Sequence, residues 1–439
     1  MASFRRLGTP VVHAHTLHVL PGALPLIAQN PLLPSRTAER ALVLAESQDV
    51  VCVPTHPDPE FVALLARLEL GPDPSRIVVP GGAPTAPLQE RLVRDAAALR
   101  RVAELLPDSG DAWLSPLMAS SVDAALAPAL ATPRRAVRVL GGSPELIARV
   151  NRKHVVRAAA ISLGVPVAPG CVVELAPAAD GQCRDLAPLE TAVRQVAMRT
   201  GRAIVRGDVG AGGSSVFTAS ADLIPPELTA FAAGGTERIL LVEEYLDIVT
   251  SPNIQVFIDP ADGSATCVGV SDQLLSPGLG HRGNLYPSRA ATAREMVAGA
   301  LTLAGWLARE GYTGFMGFDF VEYRDARGTL QWVLAELNPR FNGASQPVAM
   351  LERLNRANRA AGRPPIAAFA AGVVSTPARS FSELAAQLGP ALYDPVRGSG
   401  VVPFHTAGLP DGSCGLAVFG PCRDEAERQL TALMETTHH

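Results

Sequence analysis

Over the first 150 positions, apolar residues fall in short β-branched blocks separated by helical spacings. Val50-Val51-Cys52-Val53-Pro54 and Arg76-Ile77-Val78-Val79-Pro80 predict buried strands, and Pro59 to Leu70 between them has the spacing of a helix. Alternation of this kind predicts a parallel α/β layer. A further strand, Val137 to Leu140, ends at Gly141-Gly142-Ser143. There Ser143 is placed to cap a helix from about Pro144, with Glu145 in its first turn.

From Asn151 the texture changes. A helix to Leu163 stops at Gly164 and is followed by the extended Val165-Pro166-Val167-Ala168-Pro169-Gly170. A second helix, about Leu189 to Thr200, stops at Gly201. Next come a strand through Ala203 to Arg206, a glycine-rich loop, a strand from Ser215, and the apolar Ile239 to Glu244. Thr292 to Arg309 has strong amphipathic helical spacing. Phe315 to Tyr323 and Leu330 to Asn338 predict a hairpin turning at Arg324 to Gly328. The tail predicts two strands, Val401 to His405 and Gly415 to Phe419, and a helix from Asp424 to Met434, a small ββα element. His438-His439 resemble the remnant of a purification tag and receive no function.

Composition narrows the class. The 439 residues suit two or three domains, and 47% hydrophobic against 18% charged excludes global disorder. A net charge of −4 offers no basic field for nucleic acid or anionic lipid, so neither partner is expected. No uninterrupted run of eighteen apolar residues predicts a membrane span, and Arg5-Arg6 are not followed by a signal-peptide core. Six cysteines without a CxxC pair read as free thiols of a cytoplasmic protein. Among 38 basic residues, 37 are arginine, and the one lysine is Lys153. Such a bias, beside 39 Gly and 38 Pro, fits GC-rich coding.

Three segments carry candidate chemistry. Val209-Gly210-Ala211-Gly212-Gly213-Ser214-Ser215 lies between two strands, where glycines let backbone N–H groups converge on an anion. A tight hairpin loop without a ligand would have the same glycines. The segment is not a P-loop, which needs a lysine, nor a dinucleotide fingerprint, which needs a following helix. On the hairpin, a two-residue turn at Arg327-Gly328 would pair residues whose numbers sum to 655, setting Asp319 opposite Glu336 with Asn338 on the same face. Opposed carboxylates repel unless a cation joins them, and an all-oxygen set suits Mg²⁺. A solvent-facing sheet would tolerate the same acids. Third, Leu241-Val242-Glu243-Glu244-Tyr245-Leu246 is an apolar strand running into two acids, equally the end of a strand meeting water. His13, His15 and His18 alternate on a predicted strand without nearby acids and read as structural.

Together, and in order, these segments resemble the ATP-grasp superfamily of carboxylate–amine ligases from about Asn151 to Asn342. Asn151-Arg152-Lys153 with Gly164 to Gly170 resembles its opening motif, which implies a phosphate contact for Lys153. Arg206 falls where the family places a second phosphate lysine, a departure that exchanges a point charge for a fork. The resemblance implies a flap over ATP from Gly210, Gly212, Gly213, Ser214 and Ser215. It also implies an adenine hinge at Glu243, Glu244, Tyr245 and Leu246, and a weaker ribose or metal contact at Asn253. It further implies Mg²⁺ (or Mn²⁺) on Asp319, Glu336 and Asn338, and Arg340 beside the transferring phosphate. Lys153, Arg206 and Arg340 would carry the catalysis.

The expected architecture is α/β: a pre-ATP-grasp, Rossmann-like domain (1–150), a two-lobed ATP-grasp domain with antiparallel sheets (151–355), and a small C-terminal domain (356–439). The tail is most similar to pheganomycin-type peptide ligases, which join a capped amino acid's carboxylate to the amine of an amino acid or peptide. His281, Arg282, Asn284 and Ser288 are the weaker substrate candidates, in a segment that would otherwise be a surface loop. The implied activity is ADP-forming peptide ligation through an acyl phosphate. An ATP-grasp carboxylase or thiol ligase, and an ATP-binding regulatory protein without turnover, remain open. A small-molecule carboxylate donor and an amine acceptor are the expected partners, and a homodimer is the base-rate expectation for assembly.

Overall fold

The computed structural model describes residues 7–16, 33–176, 185–210, 215–234, 237–276 and 280–435. Arg5-Arg6, His18, Ala211, Gly212, Gly213, Ser214 and His438-His439, named above, lie outside them, as does one of the six cysteines, Cys183. The other five cysteines are free, and no helix among the described residues is long and apolar enough to cross a membrane.

Three sheets organise the chain. The first is parallel and five-stranded, in spatial order Ile77–Val78, Val50–Cys52, Val11–Ala14, Gly110–Ser115, Arg135–Val139. Two of its inner strands, Val11–Ala14 and Val50–Cys52, are covered on both faces: Val11, Val12, Val50, Val51 and Cys52 have no exposed surface. The intervening helix, Pro59–Arg67, starts as its sequence dictates, with Asp58 accepting from Glu60 N and proline in the first turn. It ends by burying Phe61, Leu64 and Leu65. The Ser143 cap is also present, its hydroxyl accepting from Leu146 N at 3.1 Å.

The second sheet is antiparallel, with strands Gly170–Glu174, Ile239–Glu244, Arg202–Gly207 and Val216–Ser220 in that order. Behind it lies the helix Ala187–Thr200, closed by Gly201 at φ +78°, a left-handed cap that other residues adopt at a cost. Gly170 approaches its neighbour strand so closely that a Cβ would collide with the Val242 carbonyl.

The third sheet has nine antiparallel strands. Its centre is Pro252–Ile258 between Ala265–Leu275 and Gly314–Arg324, and the latter also pairs with Leu330–Asn338. The helix Ala293–Arg309 covers it with Met296, Ala300, Leu303, Ala304 and Leu307, all without exposed surface. Burying each large aliphatic side chain contributes roughly 1.5–3 kcal/mol.

The C-terminal region is more than two strands and a helix. Strand Ala368–Ser375 pairs with His281–Tyr286 and carries Ser413–Gly420 and Gly400–His405 in turn, so the tail extends the nine-stranded sheet. Helix Ser345–Ala360 runs through the expected boundary at 355/356, and helix Phe381–Leu388 adds a second cover. Phe381 packs on Phe61 with ring centroids 5.7 Å apart, and the largest apolar cluster joins residues 41–70 to residues 348–434.

Candidate active site

The hairpin places its acids as expected, by a different route. Arg324 pairs with Leu330 and Phe320 with Leu334, pairs whose numbers sum to 654. The turn is a three-residue loop with Gly328 at φ +77° and Gly328 N donating to Asp325 O at 2.8 Å. A β-bulge then inserts Ala335, and Asp319 comes to face Glu336 and Gly317 to face Asn338. The longer loop and the bulge each shift the register by one residue, and the two shifts cancel.

Asp319 sits in a buried amide frame. Its Oδ1 accepts from Asn253 Nδ2 at 2.6 Å and its Oδ2 from Asn338 Nδ2 at 2.8 Å. The Asn338 carbonyl oxygen accepts from Arg340, while Asn253 Oδ1 accepts from Gln255 Nε2 at 2.6 Å. Gln255 is held in turn by Asn342 and Ser345, at 2.8 Å each. Such a chain fixes each side chain in one rotamer, because a broken member leaves a buried polar group unpaired. Burial, then the charge of Glu336, pushes Asp319 up to about 6, against the amide donors and Arg340. Burial would raise Glu336 as well, but Lys153, Arg340 and Arg206 outweigh it and hold that carboxyl below its usual range.

Lys153 enters from the start of the helix Lys153–Ser162, its Nζ 3.2 Å from Glu336 Oε1. The helix start is anchored by Asp208, just beyond the Arg202–Gly207 strand. Asp208 O accepts from Lys153 N at 3.0 Å, and its buried carboxylate accepts from His154 N at 2.9 Å. The entry to the glycine-rich loop and the lysine therefore move as one unit. Nothing in the sequence periodicity identified Asp208; an acid directly after a strand and before glycines is the available signal.

Arg206 lies on the same strand. Its Nε and Nη2 meet Glu243 Oε2 at 2.9 and 2.6 Å, and its Nη1 donates to Ala335 O at 2.7 Å. The other oxygen of Glu243 accepts from Arg157 Nη1 at 2.8 Å, a residue that sequence reasoning did not select. Arg157 follows Lys153 by one helical turn, and that spacing was the usable clue. Glu243 is 4% exposed, so two guanidinium groups surround a nearly buried carboxylate. Glu244 N donates to Pro169 O, and its carboxylate meets Arg199 Nη1 at 3.2 Å. Tyr245 lies under the Arg202 guanidinium, 4.0 Å from its ring centroid, and Leu246 follows at the partly exposed end of the same segment.

A cavity of about 320 Å³ brings these groups together. Lys153, Arg206, Asn253, Asp319, Glu336, Asn338 and Arg340 line it, as do His281 and Asn284, whose Nε2 and Oδ1 are 2.9 Å apart. Arg282 and Ser288 are not among its walls: Ser288 donates instead to Asp272, which also binds Arg423. Ser215 is buried at the base of the loop and Gly210 is described, whereas the loop's centre lies outside the described residues. Glu243, Glu244, Tyr245 and Leu246 stand apart from this cavity, although Glu243 borders the narrow space behind Lys153 and Arg206.

His15, read as structural, lines the cavity and stacks on Phe341 at 5.2 Å. His13 has an acid beside it, with Asp49 Oδ2 3.5 Å from its Nε2.

No group of three His, Cys, Asp or Glu side chains is placed to hold a metal among the described residues. The candidate set is two opposed carboxylates and one amide, all hard oxygen donors. One carboxylate is kept reluctant to ionise by burial and by the other's charge. A divalent cation would relieve that repulsion, so the donor set fits Mg²⁺.

Residues 38–132 match the family described as the Pre ATP-grasp domain. No curated protein matches the sequence. Among solved structures, the chain is similar to an ADP complex of N5-carboxyaminoimidazole ribonucleotide synthetase (13% identity, TM-score 0.57, 97% of this chain and 96% of that one). It is similar also to the Aspergillus clavatus synthase with ADP and 5-aminoimidazole ribonucleotide (13%, 0.54, 98% and 99%). The biotin carboxylase of Campylobacter jejuni is a third (16%, 0.54, 97% and 90%). At these identities the likeness establishes the fold: a pre-ATP-grasp domain followed by an ATP-grasp fold.

Proposed function

We propose that this chain is an ADP-forming ligase that activates a carboxylate as an acyl phosphate and couples it to the amine of an amino acid or peptide. The observation that carries the reading is the meeting, in one cavity, of Lys153, Arg340 and the opposed pair Asp319 and Glu336. Binding a nucleotide alone does not call for paired carboxylates and an arginine lining one cavity.

Amide formation from a free carboxylate is uphill in water, and ATP with Mg²⁺ supplies the drive by phosphoryl transfer. The chain's own task is positioning and charge stabilisation. Asp319, Glu336 and Asn338 would hold the metal. Lys153 and Arg206 would neutralise phosphate oxygens, and Arg340 would steady the phosphoryl group or the tetrahedral oxyanion that follows. Ser215 and the glycine-rich loop would close over the triphosphate and keep water from the acyl phosphate. Glu243 through Leu246 would read the adenine edge, with Asn253 behind the metal set. No covalent enzyme nucleophile is required.

A second reading is carboxylation, favoured by the fold neighbours whose names are those of carboxylating enzymes. The two separate cleanly. The test is ADP release with Mg²⁺-ATP across pairs of capped amino acids and small peptides, with and without bicarbonate, beside Glu336→Gln. ADP that requires both an acid and an amine, with a product lighter than their sum by one water, supports the ligase. ADP that requires bicarbonate moves the reading to the carboxylase, and nucleotide binding without ADP refutes both.

A further inference from the structure

Behind the cavity lies a second chamber of about 440 Å³, a volume in the range of small-molecule sites. Arg40, His281, Gly343 and Gln346 line both spaces, so they form the neck between them. Gly343 keeps that neck open, since a Cβ there would meet His281 Cε1 at 2.5 Å. The chamber's wall is rich in backbone, with Gly283 and Gly372 facing it from paired strands. None of its described lining residues is acidic.

Arg40 is a cation in search of a counter-charge. Its Nε is buried without a partner, and its Nη2 reaches only His405 Nδ1, at 3.4 Å. Among the described residues no carboxylate lies within ion-pair distance of it, and residues 17–32 contain no acid to supply one. Its neighbour in sequence, Glu39, is spent elsewhere, accepting from the backbone N–H groups of Thr406 and Ala407. Gln346 is 3% exposed and lines the same neck. A guanidinium with one buried, unpartnered N–H and no carboxylate beside it costs stability unless a ligand supplies the missing charge.

We propose that this chamber is the acceptor subsite and takes an α-amino acid or short peptide with a free carboxylate. The carboxylate binds Arg40 with Gln346 beside it, and the amine points through the neck toward Asp319 and Glu336. A guanidinium recognises a carboxylate by paired N–H donors, which the neutral amide of a capped acceptor cannot replace. The assignment of the acceptor role rests on the ligase reading; the carboxylate site itself does not.

The test is calorimetric titration of the full chain with the twenty α-amino acids and alanyl-alanine, each paired with its C-terminal amide. At least one free acid should bind about 10–100-fold more tightly than its amide. Arg40→Met should abolish that preference while leaving the affinity for a fluorescent ATP analogue unchanged. Equal binding of acid and amide by the unaltered protein, or no binding of either form, overturns the subsite whether or not Arg40→Met folds. An Arg40→Met protein that folds and keeps the preference overturns it too. Failure of nucleotide binding, by contrast, sinks the ligase reading and leaves the carboxylate comparison standing.

Discussion

The guanidinium of Arg206 donates to the carbonyl of Ala335 at 2.7 Å, joining the four-stranded sheet to the one residue that the bulge adds to the nine-stranded sheet. A regular hairpin would spend that carbonyl on its own ladder. The bulge thus supplies the acceptor by which the two lobes touch, beside Glu336. Arginine suits the place because it can bridge Ala335 O and Glu243 at once, which a lysine ammonium could do only by giving up geometry.

The pair Glu243 and Arg206, with Arg157, behaves as a buried ionic triad. Glu243→Ala removes the carboxylate that the two arginines share, from a space where Glu243 was 4% exposed, and leaves Arg157 with backbone carbonyls alone. A loss of about 3–5 kcal/mol in unfolding free energy is expected, measured by urea denaturation. A change below 1 kcal/mol would mean that water reaches both guanidinium groups.

Glu336→Gln keeps the shape of the hairpin and removes one charge of the opposed pair. ADP formation should fall by about a hundredfold or more, and the melting temperature should fall as well, because Lys153, Arg340 and Arg206 lose a counter-charge and the relief of Asp319 offsets only part of that loss. The readout is the pair of measurements, ADP release and melting temperature.

Lys153 is the single lysine, so amine-reactive acylation has two targets, this side chain and the N-terminus. Its Nζ lies beside Glu336 with the side chain 8% exposed. Mg²⁺-ATP should slow modification of Lys153 at least about tenfold without affecting the N-terminus, followed by peptide mass spectrometry. Equal labelling of Lys153 with and without nucleotide would remove it from the phosphate site.

Stability should respond to pH through Glu39. Burial pushes its carboxyl up to about 7, against the N–H donors of Ala407 and Thr406. The folded state therefore holds this proton more tightly than the unfolded chain does. The group's contribution is fully present below about pH 4.5 and is lost as pH rises toward 7. Glu39→Gln should flatten the melting curve over that window.

Much of the site could be read in the chain because its parts are local. Alternation along Phe315 to Asn338 fixes which side chains share a face, and Lys153 precedes its own helix. What escaped was non-local or one residue long. The three-residue loop and the bulge each alter register by a single position, which alternation over a short strand does not resolve. Arg157, Asp208 and Arg40 are defined by partners, or by a missing partner, far along the chain. Ser288 sits near His281 in sequence, but the turn beyond the strand carries it to Asp272, while strand alternation sets Arg282 in the wall of the second chamber and not of the first cavity. Strand Ala368–Ser375 was missed because its alanines and glycine carry weak strand preference; its pairing on both sides and the burial of six of its eight residues override that.

The cluster that joins residues 41–70 to residues 348–434 also sets an order of events. Phe61 and Leu64 emerge early in synthesis, but the surfaces that cover them are made only near the end. Until then that face of the first sheet stays wet, and the contacts that close it span more than 300 positions. Such closures are slow. The first 150 residues should consequently be a poor autonomous unit, prone to sticking while the rest of the chain is still being made.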